Sequence, residues 1–158
     1  MKRWFHGVRE HLIFTPGGRV AFVIQVPGNR HDTQGLYALL STSFAGCLLA
    51  DNGYWPNPKK REDLLENGVQ VIAAARSNGK QAVNTPEEKK LLKEWRGRVE
   101  RRIGLFDKQF HAGRTLCRSE KHYRARRWAK VLTHNASRHI NKALGRPLEV
   151  LAPMRAAA

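Results

Sequence analysis

Residues 46–75 read GCLLADNGYWPNPKKREDLLENGVQVIAAA, and this stretch decides the fold class. Residues 46–50 (GCLLA) form a short apolar run that ends at Asp51-Asn52-Gly53, the pattern of a buried strand closed by a turn. Asn57-Pro58 sets an N-cap before a proline at the first helical position, and Gly68 ends that helix soon after Leu64-Leu65. Val69 to Ala75 then predicts a second buried strand. Strand, helix and strand in this order make a βαβ unit, so the expected class is α/β with a partly parallel sheet.

The flanking segments extend this frame. Upstream, residues 8–14 (VREHLIF) alternate loosely, Pro16-Gly17-Gly18 supplies turn chemistry, and residues 19–26 (RVAFVIQV) are β-branched and aromatic. Together they predict a β-hairpin, closed by Pro27-Gly28-Asn29. Asp32 is placed to cap a short helix over 33–42. Downstream, residues 78–85 form a polar loop, and Thr85-Pro86-Glu87-Glu88 is a capping box that opens a helix. Apolar residues at 92, 95, 99, 103, 106 and 110 then mark one amphipathic helix, with Gly113 after it. A second helix begins near Ser119, with an apolar stripe of Tyr123, Trp128, Val131, Leu132, Ala136, Ile140 and Leu144 expected to face the core. Gly145 and Pro147 stop it, and residues 147–158 read as a tail.

Charge narrows the function classes. The 158-residue chain carries 29 Lys+Arg against 13 Asp+Glu, a formal net charge of +16. Residues 87–146 alone hold 18 basic and 6 acidic side chains. Such a field draws polyanions, because each phosphate neutralised releases condensed counterions. Two cysteines, Cys47 and Cys117, are too few for a disulfide framework, and the seven histidines lack zinc-ligand spacing. No apolar run approaches a membrane span, and Met1-Lys2-Arg3-Trp4 lacks the apolar stretch of a signal peptide. The expected setting is cytoplasmic, reduced and nucleoid-associated, with no membrane partner.

Two acids stand out by position. Asp51 closes an apolar strand, where a carboxylate either caps the Asn52-Gly53 turn or binds a metal. Glu100 lies at the boundary of the long helix's apolar stripe; it either pairs with Arg96 one turn earlier or serves a site. No Gly-x-Ser-x-Gly elbow and no phosphate loop is present. Trp95 and Trp128 lie on apolar stripes and are expected in the core rather than stacked on bases.

Trp4-Phe5-His6-Gly7-Val8-Arg9-Glu10-His11-Leu12 and, further on, Pro27-Gly28-Asn29-Arg30-His31-Asp32 open an ordered series of segments; they resemble the "FxGxKxHL" strand and the "PGNxHD" turn of bacterial insertion-sequence DDE transposases. Leu49-Ala50-Asp51-Asn52-Gly53-Tyr54 resembles the "ADKGY" motif that carries the second catalytic Asp. Leu64 to Val69 and Arg76-Ser77-Asn78 match the segment after it. Arg96-Gly97-Arg98-Val99-Glu100 resembles the "RxxxE" helix that carries the catalytic Glu. Asn52 stands where the family usually has Lys, Arg9 replaces a Lys, and Asp107 occupies the position of a Lys seven residues after the Glu, with Lys108 next to it.

The resemblance implies an RNase H-like mixed sheet flanked by helices, with residues 1–146 as a partial catalytic domain. It implies Asp51 and Glu100 as catalytic carboxylates and metal ligands, holding two Mg²⁺ (or Mn²⁺) ions about 4 Å apart for in-line displacement at phosphorus. The family's first catalytic Asp lies on a strand upstream of the segment matching Trp4 to Leu12, and this chain has no counterpart. The expectation is therefore an N-terminally truncated copy, completed by a missing segment or by another transposase copy. DNA at transposon ends is the implied partner, with Arg96, Lys108, Arg124, Arg126, Arg127 and Lys130 as its contacts and a homodimer as a possible assembly. The alternative is a noncatalytic nucleic-acid-binding remnant. The motif order argues against an unrelated RNA-binding or ribosome-associated protein.

Overall fold

A computed structural model describes residues 7–75, 84–111, 117 and 119–151. Trp4 to His6, Arg76 to Asn78, Gly113 and most of the 78–85 loop, all used in the sequence reading, lie outside the described residues. The chain divides into two compact units: Met1–Leu12 with Val23–Arg98, and Ile13–Phe22 with Val99–Ala158.

In the first unit the βαβ reading holds. β3 (Gly46–Ala50) and β4 (Val69–Ala73) pair in parallel from Gly46↔Val69 to Ala50↔Ala73, and α2 (Pro58–Glu66) connects them. Asn57 caps α2 by accepting from the Lys60 amide, with Pro58 behind it. The core of the unit is Leu36, Leu39, Leu64, Val69, Val71, Ile72 and Ala73. β4 is buried as expected, but β3 is not: Gly46 and Cys47 are exposed and Leu48 to Ala50 are half-buried. β1 (Val8–Phe14) and β2 (Val20–Pro27) form a separate two-stranded sheet. Bonds from Thr15 N to Arg19 O and from Gly28 N to Gly7 O close its two ends, which makes it a hairpin. α1 (Asp32–Tyr37) follows, continued by a 3-10 turn over Ala38–Ser41, and its N-cap is His31 rather than Asp32.

The base of the hairpin belongs to the first unit and its tip to the second. α3 (Pro86–Phe110) runs through both. Its capping box forms as read: the Glu88 carboxylate accepts from the Thr85 amide at 3.0 Å, and the Thr85 hydroxyl accepts from the Glu88 amide at 3.2 Å. Buried Asn84 joins this helix start to the end of β4, donating to Ala73 O and accepting from the Ala75 amide.

The second unit departs from the sequence reading. α4 (Glu120–Ala143) starts at a Ser119 cap and stops at Leu144, as expected. Its buried face, however, is Arg127, Val131, His134, Ser137 and Asn141. Trp128, Leu132, Ile140 and Leu144 of the expected inner stripe are exposed. The reason lies in the backbone that α4 packs against. At the hairpin tip Gly18 and Val20 are buried, and a buried carbonyl must be satisfied. His134 Nε2 meets Gly18 O at 3.0 Å, Arg138 donates to Gly17 O, and the Asn135 amide bonds both the N–H and the C=O of Val20 at 2.9 Å. Arg102 of α3 donates to Thr15 O and Pro16 O. The segment read as a tail is partly docked: Asn141 donates to Pro147 O and Val150 O, and Arg138 to Leu148 O.

Phe106 stands 5.5 Å from the His134 ring, edge to face, and Phe14 and Phe110 also pack on that ring. Burial lowers the His134 pKa, the bond to Gly18 opposes this, and Arg138 adds to the lowering. The folded value therefore lies below the ordinary 6.5, so the folded state binds fewer protons than the unfolded chain. This contribution to stability is complete above the unfolded value of 6.5 and is lost as pH falls from there through the folded value, at up to about 1.4 kcal/mol per pH unit for such a group. The thermal midpoint should fall between pH 7.5 and 5.5, and fall less in His134→Gln, whose amide can still donate to Gly18. Equal falls in both proteins, measured by circular dichroism, would remove His134 from the explanation.

Candidate functional site

β3 delivers Asp51 to its exposed carboxyl end. There Asp51 caps the 3-10 turn Asn52–Tyr54, its Oδ1 accepting from the Asn52 amide at 2.7 Å while its carbonyl accepts from the Tyr54 amide. The capping reading of Asp51 is thus realised, and it leaves the carboxylate open to solvent.

Beneath this turn lies a polar cluster that the sequence reading missed. The Tyr54 hydroxyl and His11 Nδ1 share a 2.6 Å hydrogen bond, so the turn after Asp51 is tied to β1. Arg9, two residues earlier on β1, donates to Asp32 at 2.8 Å. The chain approaches these side chains closely at two glycines. A Cβ on Gly53 would stand 2.6 Å from Asp32 Oδ2, and one on Gly35 would collide with the His11 ring. Burial lowers the His11 pKa, with Asp32 opposing and Arg9 adding to the shift. Tyr54 is pushed up to about 12, by burial first and then by Asp32 and Asp51, with Arg9 opposing. Both groups are therefore neutral near pH 7. His11 Nε2 is buried with no hydrogen-bond partner among the described residues and packs against Gly35. The signal was present in the sequence, because Arg9, His11, Asp32 and Tyr54 all fall inside the segments that carry the resemblance.

Glu100 is exposed on α3 and belongs to the second unit, whereas Asp51 belongs to the first. Carboxylate oxygens suit a hard divalent cation. Among the described residues, however, no group of three or more His, Cys, Asp or Glu side chains is placed to hold a metal ion.

The family model of the transposase DDE domain matches residues 1–136. The chain belongs to this family. Among curated proteins and among solved structures, none matches the chain. The match covers the hairpin, the Asp51 turn, α3 and most of α4. Among the described residues no helix is long and apolar enough to cross a membrane.

The basic residues on these helices separate into classes. Arg96, Lys108, Arg124 and Arg126 are exposed. Arg124 pairs with Glu120 at 2.6 Å, but an exposed i,i+4 pair is worth only about 0.3–0.5 kcal/mol, so a phosphate competes with it readily. Lys130 is half-buried and donates to His111 O at 3.2 Å; burial lowers its pKa, and Arg127 and Arg126 add to this. Arg127 departs from the sequence reading. It is 6% exposed, with its guanidinium over the Phe106 ring, so it faces the core and not a phosphate. Trp128 departs in the opposite sense, with 51% exposure, while Trp95 is half-buried beneath Arg98.

If the exposed cations are the DNA contacts, replacing Arg124 and Arg126 by Ala should flatten the plot of log K against log salt by about one unit per lost phosphate contact. Arg127→Ala should leave that slope unchanged and lower the thermal midpoint instead, by the equivalent of about 1 kcal/mol. Fluorescence anisotropy with duplex DNA at several salt concentrations separates the two. A slope that changes only in Arg127→Ala would reverse the assignment.

Proposed function

We propose that this chain takes part in transposase-type DNA strand cleavage and transfer, with Asp51 and Glu100 as two of the carboxylates of the reacting centre. The observation that carries this reading is the family match together with an Asp held at the exposed end of a parallel strand by its own capping turn. The ends of such strands are where α/β proteins build sites. The chain's own contribution is to hold the Asp51 carboxylate open to solvent, with Tyr54 and His11 anchoring its turn. Exposed cations on α3 and α4 attract the phosphate backbone of the transposon ends.

Mg²⁺ or Mn²⁺ is the cofactor that this reading requires, and its chemistry would be activation of the attacking oxygen and stabilisation of the leaving one. A further acidic ligand is needed. We infer that it comes from outside this sequence, on an additional strand supplied by an upstream segment or by another copy. The family pattern supports this inference, because a DDE domain uses two Asp and a Glu and Asp51 and Glu100 account for two of the three. The second reading, DNA binding without cleavage, rests on the exposed cations of α3 and α4.

A plasmid-nicking assay with Mn²⁺ tests this. The purified chain should not nick. Adding a segment that carries an Asp-bearing strand should produce nicking that is lost in Asp51→Ala and in Glu100→Ala. Robust nicking by the chain alone, lost in both variants, would show that no further ligand is needed. Nicking that survives both variants would remove Asp51 and Glu100 from the chemistry.

A further inference from the structure

The carbonyls of residues 15–20, at the hairpin tip, are served by two kinds of side chain. At the buried positions the partners are neutral: His134 meets Gly18 O, and the Asn135 amide donates to Val20 O. Toward the open end they are guanidiniums. Arg102 donates to Thr15 O and Pro16 O, and Arg138 to Gly17 O, with Pro16 and Gly17 both exposed. A carbonyl needs an N–H and not a charge, as Asn135 shows, so these bonds alone do not call for cations.

The two guanidiniums also converge. A Cβ on Gly18 would stand 2.6 Å from Arg138 Nη2 and 3.2 Å from Arg102 Nε. Those nitrogens are therefore no farther apart than the sum, about 6 Å, which is inside the roughly 8 Å over which physiological salt screens charge. Arg19 adds an exposed cation in the same turn. Arg138 donates from its Nη atoms to carbonyls, of Gly17 and Leu148, and its buried Nε has no partner among the described residues. Burial disfavours its charge, with Glu149 opposing that effect. Gly18 permits the convergence: its φ is 82°, and it has no side chain to fill the space that the guanidiniums occupy.

We propose that Arg19, Arg102 and Arg138 form a clamp at the hairpin tip for a phosphodiester of the DNA backbone. An anionic oxygen set between guanidiniums offsets their mutual repulsion and accepts charge-assisted N–H bonds, which neutral carbonyls do not replace. The tip is exposed at Pro16, Gly17 and Arg19, so a lone phosphate ion would keep most of its water there. A polyanion gains more, because its other phosphates reach other cations of the same unit. Arg124 and Arg126 are exposed about 21 Å and about 18 Å along α4 from Arg138. Those separations exceed the screening length, so the clamp takes a phosphate of its own. The clamp rests on the DNA-binding part of the proposed function and involves neither Asp51, Glu100 nor a metal ion.

Fluorescence anisotropy of the full chain with duplex DNA, without divalent metal and at several salt concentrations, tests the clamp. Replacing Arg102 and Arg138 together by Gln keeps amide donors for the carbonyls and removes the charge. That variant should lose about one unit of the slope of log K against log salt, or about fivefold in affinity near 0.15 M salt. Replacing both by Lys, which keeps the charge, should retain the slope. Arg19→Gln, a change at an exposed side chain, should flatten the slope in the same direction. Asn135→Ala loosens the same turn without removing charge, so it should lower the thermal midpoint and leave the slope alone. In NMR spectra the amide signals of Gly17, Gly18 and Arg19 should shift with duplex and stay in place with inorganic phosphate at equal phosphate concentration. An unchanged slope in both Gln variants, or an equal loss in Asn135→Ala, would overturn the clamp and leave DNA binding itself standing. Saturation of those signals by inorganic phosphate alone would overturn it as well, and would assign the tip to a free anion. A chain that binds no DNA at all would remove both the clamp and the DNA-binding reading.

Discussion

The parallel ladder between β3 and β4 is the constraint on which the candidate site depends. Two parallel strands cannot be joined by a tight turn; they need a crossover, and α2 with its Asn57 cap and Pro58 start supplies it. The register ends at Ala50↔Ala73, with one more bond from Ala74 N to Ala50 O, so Asp51 is the first residue beyond the ladder. Shifting the pairing by one residue would turn one strand over, moving either Val69 and Val71 out of the core or the end of β3 and Asp51 to the other face. Beyond the same end of β4, Asn84 ties the ladder to the capping box of α3. A strand end, a turn and a helix start are thereby fixed by one set of backbone pairings.

The cluster around His11 shows how polar groups hold this arrangement. Tyr54 reaches His11, Arg9 reaches Asp32, and Gly53 and Gly35 allow the close approach. The Arg9–Asp32 pair is half-exposed and contributes little as a charge pair. Its role is geometric, since the Asp32 carboxylate occupies the space that a side chain at position 53 would need. The second unit uses the same device on a larger scale. His134, Asn135, Arg138 and Asn141 of α4 serve backbone groups of the hairpin tip and of residues 147–150, and only Val131 on the inner face is apolar.

Local signals in the sequence were sufficient for the frame. The βαβ unit, the hairpin and the limits of α3 and α4 follow from turn residues, caps and periodicity, each set within a few neighbouring residues. The rotation of α4 was not legible, for a physical reason. Periodicity finds the apolar side of a helix but not which side is covered, and here carbonyls more than a hundred residues away in sequence draw the polar side inward. Arg127 was misread for the same reason. The role of Asp32 was hidden because its partners, Arg9 and Gly53, lie in other segments. Asp51 was legible as the residue after an apolar strand, and Glu100 only through its place in the resemblance.

The central claim is that Asp51 and Glu100 are the groups that meet a divalent cation. Substoichiometric Mn²⁺ added to isotope-labelled chain broadens the NMR signals of amides near the ion, and it detects weak binding without any need for activity. The account predicts selective broadening at Asn52 and Gly53 and at the residues flanking Glu100, abolished by Asp51→Ala. Broadening confined to other acids, such as Glu62-Asp63 or Glu87-Glu88, or unaffected by Asp51→Ala, would contradict it.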